Sequence, residues 1–172
     1  MRRVASSWHR RLRSKWALLE FLLLTCSPFA SAENENENDK KLTNIPRDMI
    51  SHRHGGSIIL TASMSGSIVN YPQVHAAYGT SKAAVLHLTR LMAAELAVHK
   101  IRVNSISPGY MDTRLNAGED LTDVWKTWWE RTPMGRIGNP EELVGPVVLL
   151  ASEAGSFMTG SDVKVDGGYC LT

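Results

Sequence analysis

A tyrosine and a lysine four residues apart, Tyr78 and Lys82, are the residues whose types and spacing best support acid–base chemistry. On a helix, this spacing places both side chains on one face, one turn apart. A free tyrosine phenol has a pKa of about 10, too high for easy proton exchange at neutral pH. A neighbouring cation favours the phenolate. Such a pair could therefore exchange a proton while an alcohol and a carbonyl interconvert.

A serine hydroxyl near the same place supplies a third group. The apolar run Ile58–Leu60 is typical of a buried strand, and small polar residues follow it, among them Ser63 and Ser65. A serine at this strand end could hold a carbonyl or alkoxide oxygen. Ser63 fits this role better than Ser65 because of its position relative to the strand end. Since Tyr-x-x-x-Lys pairs also arise by chance, the surrounding elements decide its meaning.

Three segments are predicted as the strands that would carry these groups, namely Ile58–Leu60, Ile101–Ile106 and Ser161–Val165. The turn Pro108–Gly109 breaks the second strand. Ligands of open α/β sheets bind beyond the carboxyl ends of strands, so this turn should lie beside the end of the Ser63 strand.

Helix signals separate these strands. A long helix is predicted from Gly79 to His99, and one stripe of it is expected to face a sheet or a partner: Ala84, Leu88, Leu91, Met92 and Leu96. A short helix is predicted within Asp120–Arg131. Asn139 and Glu142 form a capping-box pattern around Pro140, which predicts a helix start. Pro146 is expected to bend that helix.

Five segments resemble, in the same order, the short-chain dehydrogenase/reductase family: GGSIILTASMSG, YGTSK, RVNSISPGYMDT, PMGRIGNPEEL and TGSDVKVDGG. The resemblance runs from about Met49 to Thr172. The sequences of these segments are most similar to those of fungal-type sorbose and xylulose reductases and mannitol and arabinitol 2-dehydrogenases. It implies an α/β fold, the C-terminal part of a Rossmann-like doubly wound parallel sheet of about three strands with flanking helices. It also implies an NAD(P)-dependent oxidoreductase acting on a small alcohol or carbonyl, expected to be a polyol or ketose.

The resemblance also implies roles for individual residues. Tyr78 would exchange the proton, Lys82 would assist it and bind the nicotinamide ribose, and Ser63 would orient the substrate oxygen. The other implied cofactor contacts are Pro108, Gly109, Met111 and Thr113. The region of Trp125, Trp128 and Trp129 would form a lid over the substrate, although three tryptophans could equally belong to a dimer contact or the core. The intact family form is expected to be a homo-oligomer.

The first half of such a domain has no counterpart in this sequence. A Gly-x-Gly-x-x-Gly turn does not occur before residue 55, and neither does the residue that selects NADP or NAD. We expect NADP or NAD as cofactor, favouring NADP. We expect a truncated chain, with a faulty or alternative 5′ end of its gene as the cause. The alternative is a non-catalytic remnant that acts as an oligomerisation module through its helix and an unpaired edge strand.

Residues 1–44 differ in composition from residues 45–172, which we take as the partial dehydrogenase domain. Six basic residues and no acid precede Trp16, an apolar run ends at Ala32, and the polar repeat Glu33–Lys41 is expected to be a disordered linker. Secretory targeting, organellar targeting and no targeting all remain open, and we favour a cytoplasmic protein. The net charge of +2 requires no acidic partner, and no nucleic-acid-binding fold surrounds the basic start. Cys26, Cys170 and the histidines lack metal-ligand spacing, so no metal is predicted.

Deleting residues 1–44 should leave the remaining chain no less folded, because their charge, apolar run and repeat match no α/β element. Circular dichroism of the shortened chain tests this. Limited proteolysis of the full chain, mapped by mass spectrometry, should cut first between Ala32 and Lys41. A linker that resists cleavage would contradict the prediction.

The 172-residue chain should bind nicotinamide dinucleotides only weakly, since the groups that would hold the pyrophosphate and adenosine are missing from its sequence. We expect about millimolar affinity, equivalent to about −4 kcal/mol. Titration with NADPH and NADH, followed by nicotinamide fluorescence or heat, measures this. Saturable micromolar binding would overturn the expectation of a missing half.

Overall fold

The structure is a computed structural model that describes residues 23–24, 46–73, 75–113 and 122–171. Its described part contains a parallel sheet in the order β1-β2-β3-β4. The strands are β1 (Leu23–Leu24), β2 (Gly56–Thr61), β3 (Ile101–Pro108) and β4 (Asp162–Val165).

Four helices accompany the sheet within the described ranges. They are α1 (residues 46–52), α2 (Ala76–Leu96), α3 (Thr122–Arg131) and α4 (Val144–Ala151). Short 3₁₀ turns lie at Met64–Gly66, Ala97–His99, Pro140–Leu143, Glu153–Gly155 and Tyr169–Leu171. Among the described residues, no helix is both long enough and apolar enough to cross a membrane.

The sheet is covered on both faces, because its central strands carry apolar side chains on both sides. One face of β2 and β3 packs against α1 and α2 through a cluster that includes Ile58, Leu60, Val85, Leu96 and Val103. The opposite face packs against α4 through a second cluster: Ile59, Ile106, Leu150 and Ala151. Fully burying each such side chain stabilises the fold by about 1.5–3 kcal/mol. The predicted α/β class and its three parallel strands with flanking helices are confirmed by β2, β3 and β4.

The carboxyl end of α4 is tied to the sheet by side chains from two strands. The Leu150 carbonyl accepts hydrogen bonds from Ser57 Oγ at 2.8 Å and from Arg102 at 2.7 Å. Arg102 also donates to the Ser152 carbonyl at 3.3 Å. Partial burial lowers the pKa of Arg102. These bonds satisfy carbonyls that the helix itself leaves without partners.

Most members of the predicted apolar stripe of the long helix do not face the sheet, so the sheet alternative is wrong for them and the partner alternative stays a prediction. Ala84, Leu88 and Leu91 are exposed, whereas Leu96 is buried and Met92 packs against the core. The face turned to the sheet carries a different set: Lys82, Val85, Leu86, Thr89, Ala93 and Leu96. Apolar residues surround most of this helix, so their spacing alone does not select the buried face.

Several element boundaries also differ from the predictions. Helix α2 begins at Ala76, three residues before Gly79, and the 3₁₀ turn Ala97–His99 follows its end at Leu96. Strand β3 extends to Pro108, which is tolerated at a strand end. Pro146 lies in the first turn of α4, where helical N–H groups lack partners in any case, so it does not interrupt a continuing helix. The Glu142 carboxylate accepts from the Asn139 N–H at 2.8 Å, which matches the predicted helix start.

The prediction that residues 1–44 belong to no element of the sheet is wrong at Leu23–Leu24. These residues pair with Ile59 and Leu60, so part of the outer edge of β2 is covered. An open strand edge offers unpaired N–H and C=O groups, which a short apolar segment can meet. The rest of the targeting and linker predictions, for Trp16–Ala32 and Glu33–Lys41, lies outside the described residues.

A mostly buried carboxylate joins β3 to β4. Asp162 Oδ1 accepts hydrogen bonds from Ser105 Oγ at 2.7 Å and Ser107 Oγ at 2.8 Å, and both serines are fully buried. Two buried hydroxyls therefore depend on one acceptor. Without it, each would bear a desolvation cost that no other described group offsets.

Asp162→Ala should lower the free energy of unfolding by about 2–4 kcal/mol, because it leaves two buried donors without an acceptor. Urea unfolding measures the change. Asp162→Asn keeps an oxygen acceptor and should cost less than Ala. Asp112→Ala is the matched control, since Asp112 is exposed and its side chain makes no hydrogen bond to the described residues. Equal stabilities for Asp162→Ala and the control would contradict this role.

Candidate active site

A tight turn after β2 positions the serine. Ser63 is buried and precedes the 3₁₀ turn Met64–Gly66, and its Oγ accepts from the Ser65 N–H at 3.2 Å. The turn lies directly against α2, since a Cβ on Gly66 would lie 2.7 Å from the Lys82 carbonyl carbon. Glycine permits this approach, which sets Ser63 beside the first turns of the helix.

Helix α2 carries the tyrosine and the lysine at that same end. Tyr78 lies in the first turn and is 38% exposed, whereas Lys82, one turn on, is 5% exposed. Lys82 Nζ lies 5.6 Å from the centroid of the Tyr78 ring and donates to the Thr61 carbonyl at 3.0 Å. The structure therefore brings Ser63, Tyr78 and Lys82 together at the carboxyl end of β2. A partly exposed phenol next to a buried cation can exchange protons with a ligand in front of it.

The Pro108–Gly109 turn lies at the end of β3, the neighbouring strand. The Gly109 N–H donates to the Val165 carbonyl at 2.9 Å, and a Cβ on Gly109 would lie 2.7 Å from Asp166 Cα. The Asp112 N–H donates to the Gly138 carbonyl at 2.8 Å. These two amides are thus used within the fold, so a ligand hydrogen bond to Gly109 would use its carbonyl.

The remaining sequence-predicted cofactor residues follow this turn. Met111 is buried and forms a parallel bridge with Gly138. Thr113 is partly exposed and ends the second long described range. Both follow the carboxyl end of β3, the strand that neighbours β2.

Tyr110, between Gly109 and Met111, was not among the predicted site residues. Its hydroxyl accepts from Asn70 Nδ2 at 3.0 Å and donates to Gln73 Oε1 at 3.1 Å. Its ring stacks on Trp128, with centroids 4.0 Å apart and planes 12° apart. Burial raises the pKa of Tyr110 to about 12, so its hydroxyl stays protonated at neutral pH. The only sequence signal was its place within the PGY motif.

The three tryptophans of α3 have different surroundings. Trp128 is 2% exposed and stacks on Tyr110, and Trp125 packs beside it with ring centroids 6.2 Å apart. Trp129 is 58% exposed. The core interpretation therefore holds for Trp128, and the lid and dimer interpretations stay predictions.

A cavity of about 300 Å³ is lined by Tyr110 and Met111 on one strand end and by Lys164, Val165 and Asp166 at the end of β4. Its rim carries an ion pair in which Glu142 receives two hydrogen bonds from Arg136, and these bonds lower the pKa of Glu142 to about 2. Ser63, Tyr78 and Lys82 do not line this cavity. Within the described residues, no group of three or more His, Cys, Asp or Glu is arranged to hold a metal ion.

Comparison with known proteins identifies the family of the chain. A family model described as enoyl-(acyl carrier protein) reductase matches residues 43–170. The sorbose reductase of Schizosaccharomyces pombe is 56% identical over 67% of this chain and 44% of its own length. A probable NADP-dependent mannitol dehydrogenase of Yarrowia lipolytica is 51% identical over 67% of this chain and 41% of its length. The chain thus spans less than half the length of these curated relatives.

Solved structures show the same arrangement of elements. A short-chain type dehydrogenase/reductase from Mycobacterium marinum is 53% identical, with a TM-score of 0.72 over 77% of this chain and 51% of its own. A gluconate 5-dehydrogenase from Burkholderia cenocepacia, solved with NADP and tartrate, is 27% identical, with a TM-score of 0.72 over 95% and 69%. The family resemblance of the sequence is confirmed, and the chain belongs to the short-chain dehydrogenase/reductase family.

Proposed function

We propose that this chain carries the catalytic groups of an NAD(P)-dependent oxidoreductase that interconverts an alcohol and a carbonyl on a polyol or ketose. The observation that carries the proposal is the convergence of Ser63, Tyr78 and Lys82 at the carboxyl end of β2. The names of the relatives support the substrate class, since they include sorbose reductase and mannitol dehydrogenase.

Each of the three residues has a role that follows from its surroundings. The Tyr78 phenol, exposed in front of the sheet, donates a proton to the substrate oxygen during reduction and takes it back during oxidation. Ser63 Oγ holds that oxygen in line with the phenol. Lys82, held on the Thr61 carbonyl, supplies positive charge beside the phenol when its proton leaves.

The residues present suit the nicotinamide end of a dinucleotide. Lys82 offers a cation for a ribose hydroxyl, the Pro108–Gly109 turn and Met111 would border the ring, and Thr113 offers a hydroxyl. The bound nicotinamide would supply or accept the hydride. NADP is favoured over NAD, supported by the NADP named for the Yarrowia and Burkholderia proteins.

The second candidate is an oligomerisation module, and one specific observation favours it. Leu88 and Leu91 are 36% and 48% exposed on the face of α2 turned away from the sheet. With Ala84 they form an apolar surface that a second copy could cover. An oligomerisation module without catalytic function would show no turnover of substrate, so measured turnover separates this candidate from the enzymatic proposal.

Tyr78→Phe tests the enzymatic proposal. The variant is placed in a chimera in which the amino-terminal half of the Schizosaccharomyces pombe sorbose reductase precedes residue 45. The rate of carbonyl reduction should fall to a small fraction of the parent rate, because the proton donor is lost while the ring remains. Steady-state oxidation of NADPH with sorbose measures it.

Val98→Ala in the same chimera is the control, since Val98 is 80% exposed and lies in the 3₁₀ turn Ala97–His99, at the opposite end of α2 from Tyr78. Its activity should equal that of the parent. If Tyr78→Phe kept more than about a tenth of the parent activity, a barrier change under about 1.4 kcal/mol, the acid–base assignment would be wrong.

A further inference from the structure

One tyrosine joins two segments that border the proposed site. The first is the loop of residues 67–73, which follows the Ser63 turn and leads to the Tyr78 helix. The second is helix α3, with Trp128 on its buried side. Tyr110 contacts the loop through its hydroxyl and the helix through its ring.

The loop depends on that hydroxyl more than on any other side chain described. Val69 is 93% exposed and Tyr71 67%, whereas Asn70 is 7% exposed. In the described residues, the side-chain hydrogen bonds of the loop to the rest of the molecule both end at Tyr110: one from Asn70 and one to Gln73. The loop is therefore held inward at these two residues.

The contact with α3 is independent of the hydroxyl. The Tyr110 and Trp128 rings are nearly parallel, and Tyr169 meets the Tyr110 ring edge-on with centroids 5.2 Å apart. Asn70 Oδ1 and Trp128 Nε1 are buried without a hydrogen-bond partner among the described residues. Buried polar atoms without partners weaken a cluster, so loss of the hydroxyl bonds should release the loop while the ring stack persists.

We propose that Tyr110 is a positioning residue for the reaction proposed above, one that holds loop 67–73 and helix α3 as a single wall of the substrate site. It does not touch the reacting atoms. Its hydroxyl holds the loop between Ser63 and Tyr78 in place through hydrogen bonds. Its ring holds α3 in place through the stack on Trp128. A polyol or ketose would then meet a preformed wall, and less ordering would be needed on binding. This inference rests on the proposed function for its substrate.

Hydrogen exchange of the 172-residue chain tests the hold on the loop. Tyr110→Phe and Asn70→Ala should each speed exchange of the amides in residues 67–73 by about fivefold or more, the effect of losing a hydrogen bond. The double variant should exchange little faster than Tyr110→Phe alone, because both substitutions remove the same Asn70–Tyr110 hydrogen bond. Exchange in α3 should stay unchanged in Tyr110→Phe, because the ring stack remains. Tyr71→Phe is the control with parent rates.

Kinetics in the chimera distinguish positioning from simple structural support. Tyr110→Phe should raise the KM for sorbose by about five- to thirtyfold, the effect of one or two hydrogen bonds, and leave kcat within about threefold. Faster exchange with an unchanged KM would overturn the positioning role, and so would a loss confined to kcat. Unchanged exchange in loop 67–73 would overturn the inference by itself. A parent chimera without turnover would instead overturn the proposed function, and the exchange experiment would still decide whether Tyr110 holds the loop.

Discussion

The hydrogen bond between the Lys82 ammonium and the Thr61 carbonyl is the contact on which the candidate site depends. A buried ammonium requires a partner, because its desolvation is costly. Thr61 provides one at the point where β2 ends, with the Ala62 N–H already donating to the Ile106 carbonyl. This bond ties the first turns of α2 to the end of β2 and so keeps Tyr78, one turn earlier, beside the strand end.

The same constraint extends to the neighbouring segments. The 3₁₀ turn that carries Ser63 must pass the backbone of Lys82, and only a glycine at position 66 has room there. On the other side, β3 ends in a turn that packs on Asp166, which sets Tyr110 facing the loop beyond the serine. Three contacts thus assemble the site: the Lys82–Thr61 hydrogen bond, the close approach of Gly66 to the Lys82 backbone, and the packing of the Gly109 turn on Asp166. At each of them, backbone packing or charge allows a single arrangement.

Sequence patterns predicted the elements and the three groups at the strand end, because a buried strand, a helical spacing of four and a Pro-Gly break are local signals. The face of α2 turned to the sheet was mispredicted, since Leu88 and Leu91 are as apolar as Val85 and Leu86 and only tertiary contacts distinguish them. The Tyr110 contacts join residues 37 and 40 positions apart through polar atoms, for which no periodicity exists. The pairing of Leu23–Leu24 with β2 likewise depends on an open edge rather than on a strand pattern.

The parallel order of the sheet also bears on how the chain reaches this fold. Gly56 pairs with Ile101 about 45 residues later, and Ser105 contacts Asp162 57 residues later. Because loop-closure entropy grows only with the logarithm of length, the two closures differ by about 0.2 kcal/mol. Loop-closure entropy therefore does not decide which of the two strand pairs forms first. The β2–β3 pair is favoured first only through burial, since its residues are nearly all buried whereas those of β4 are partly exposed.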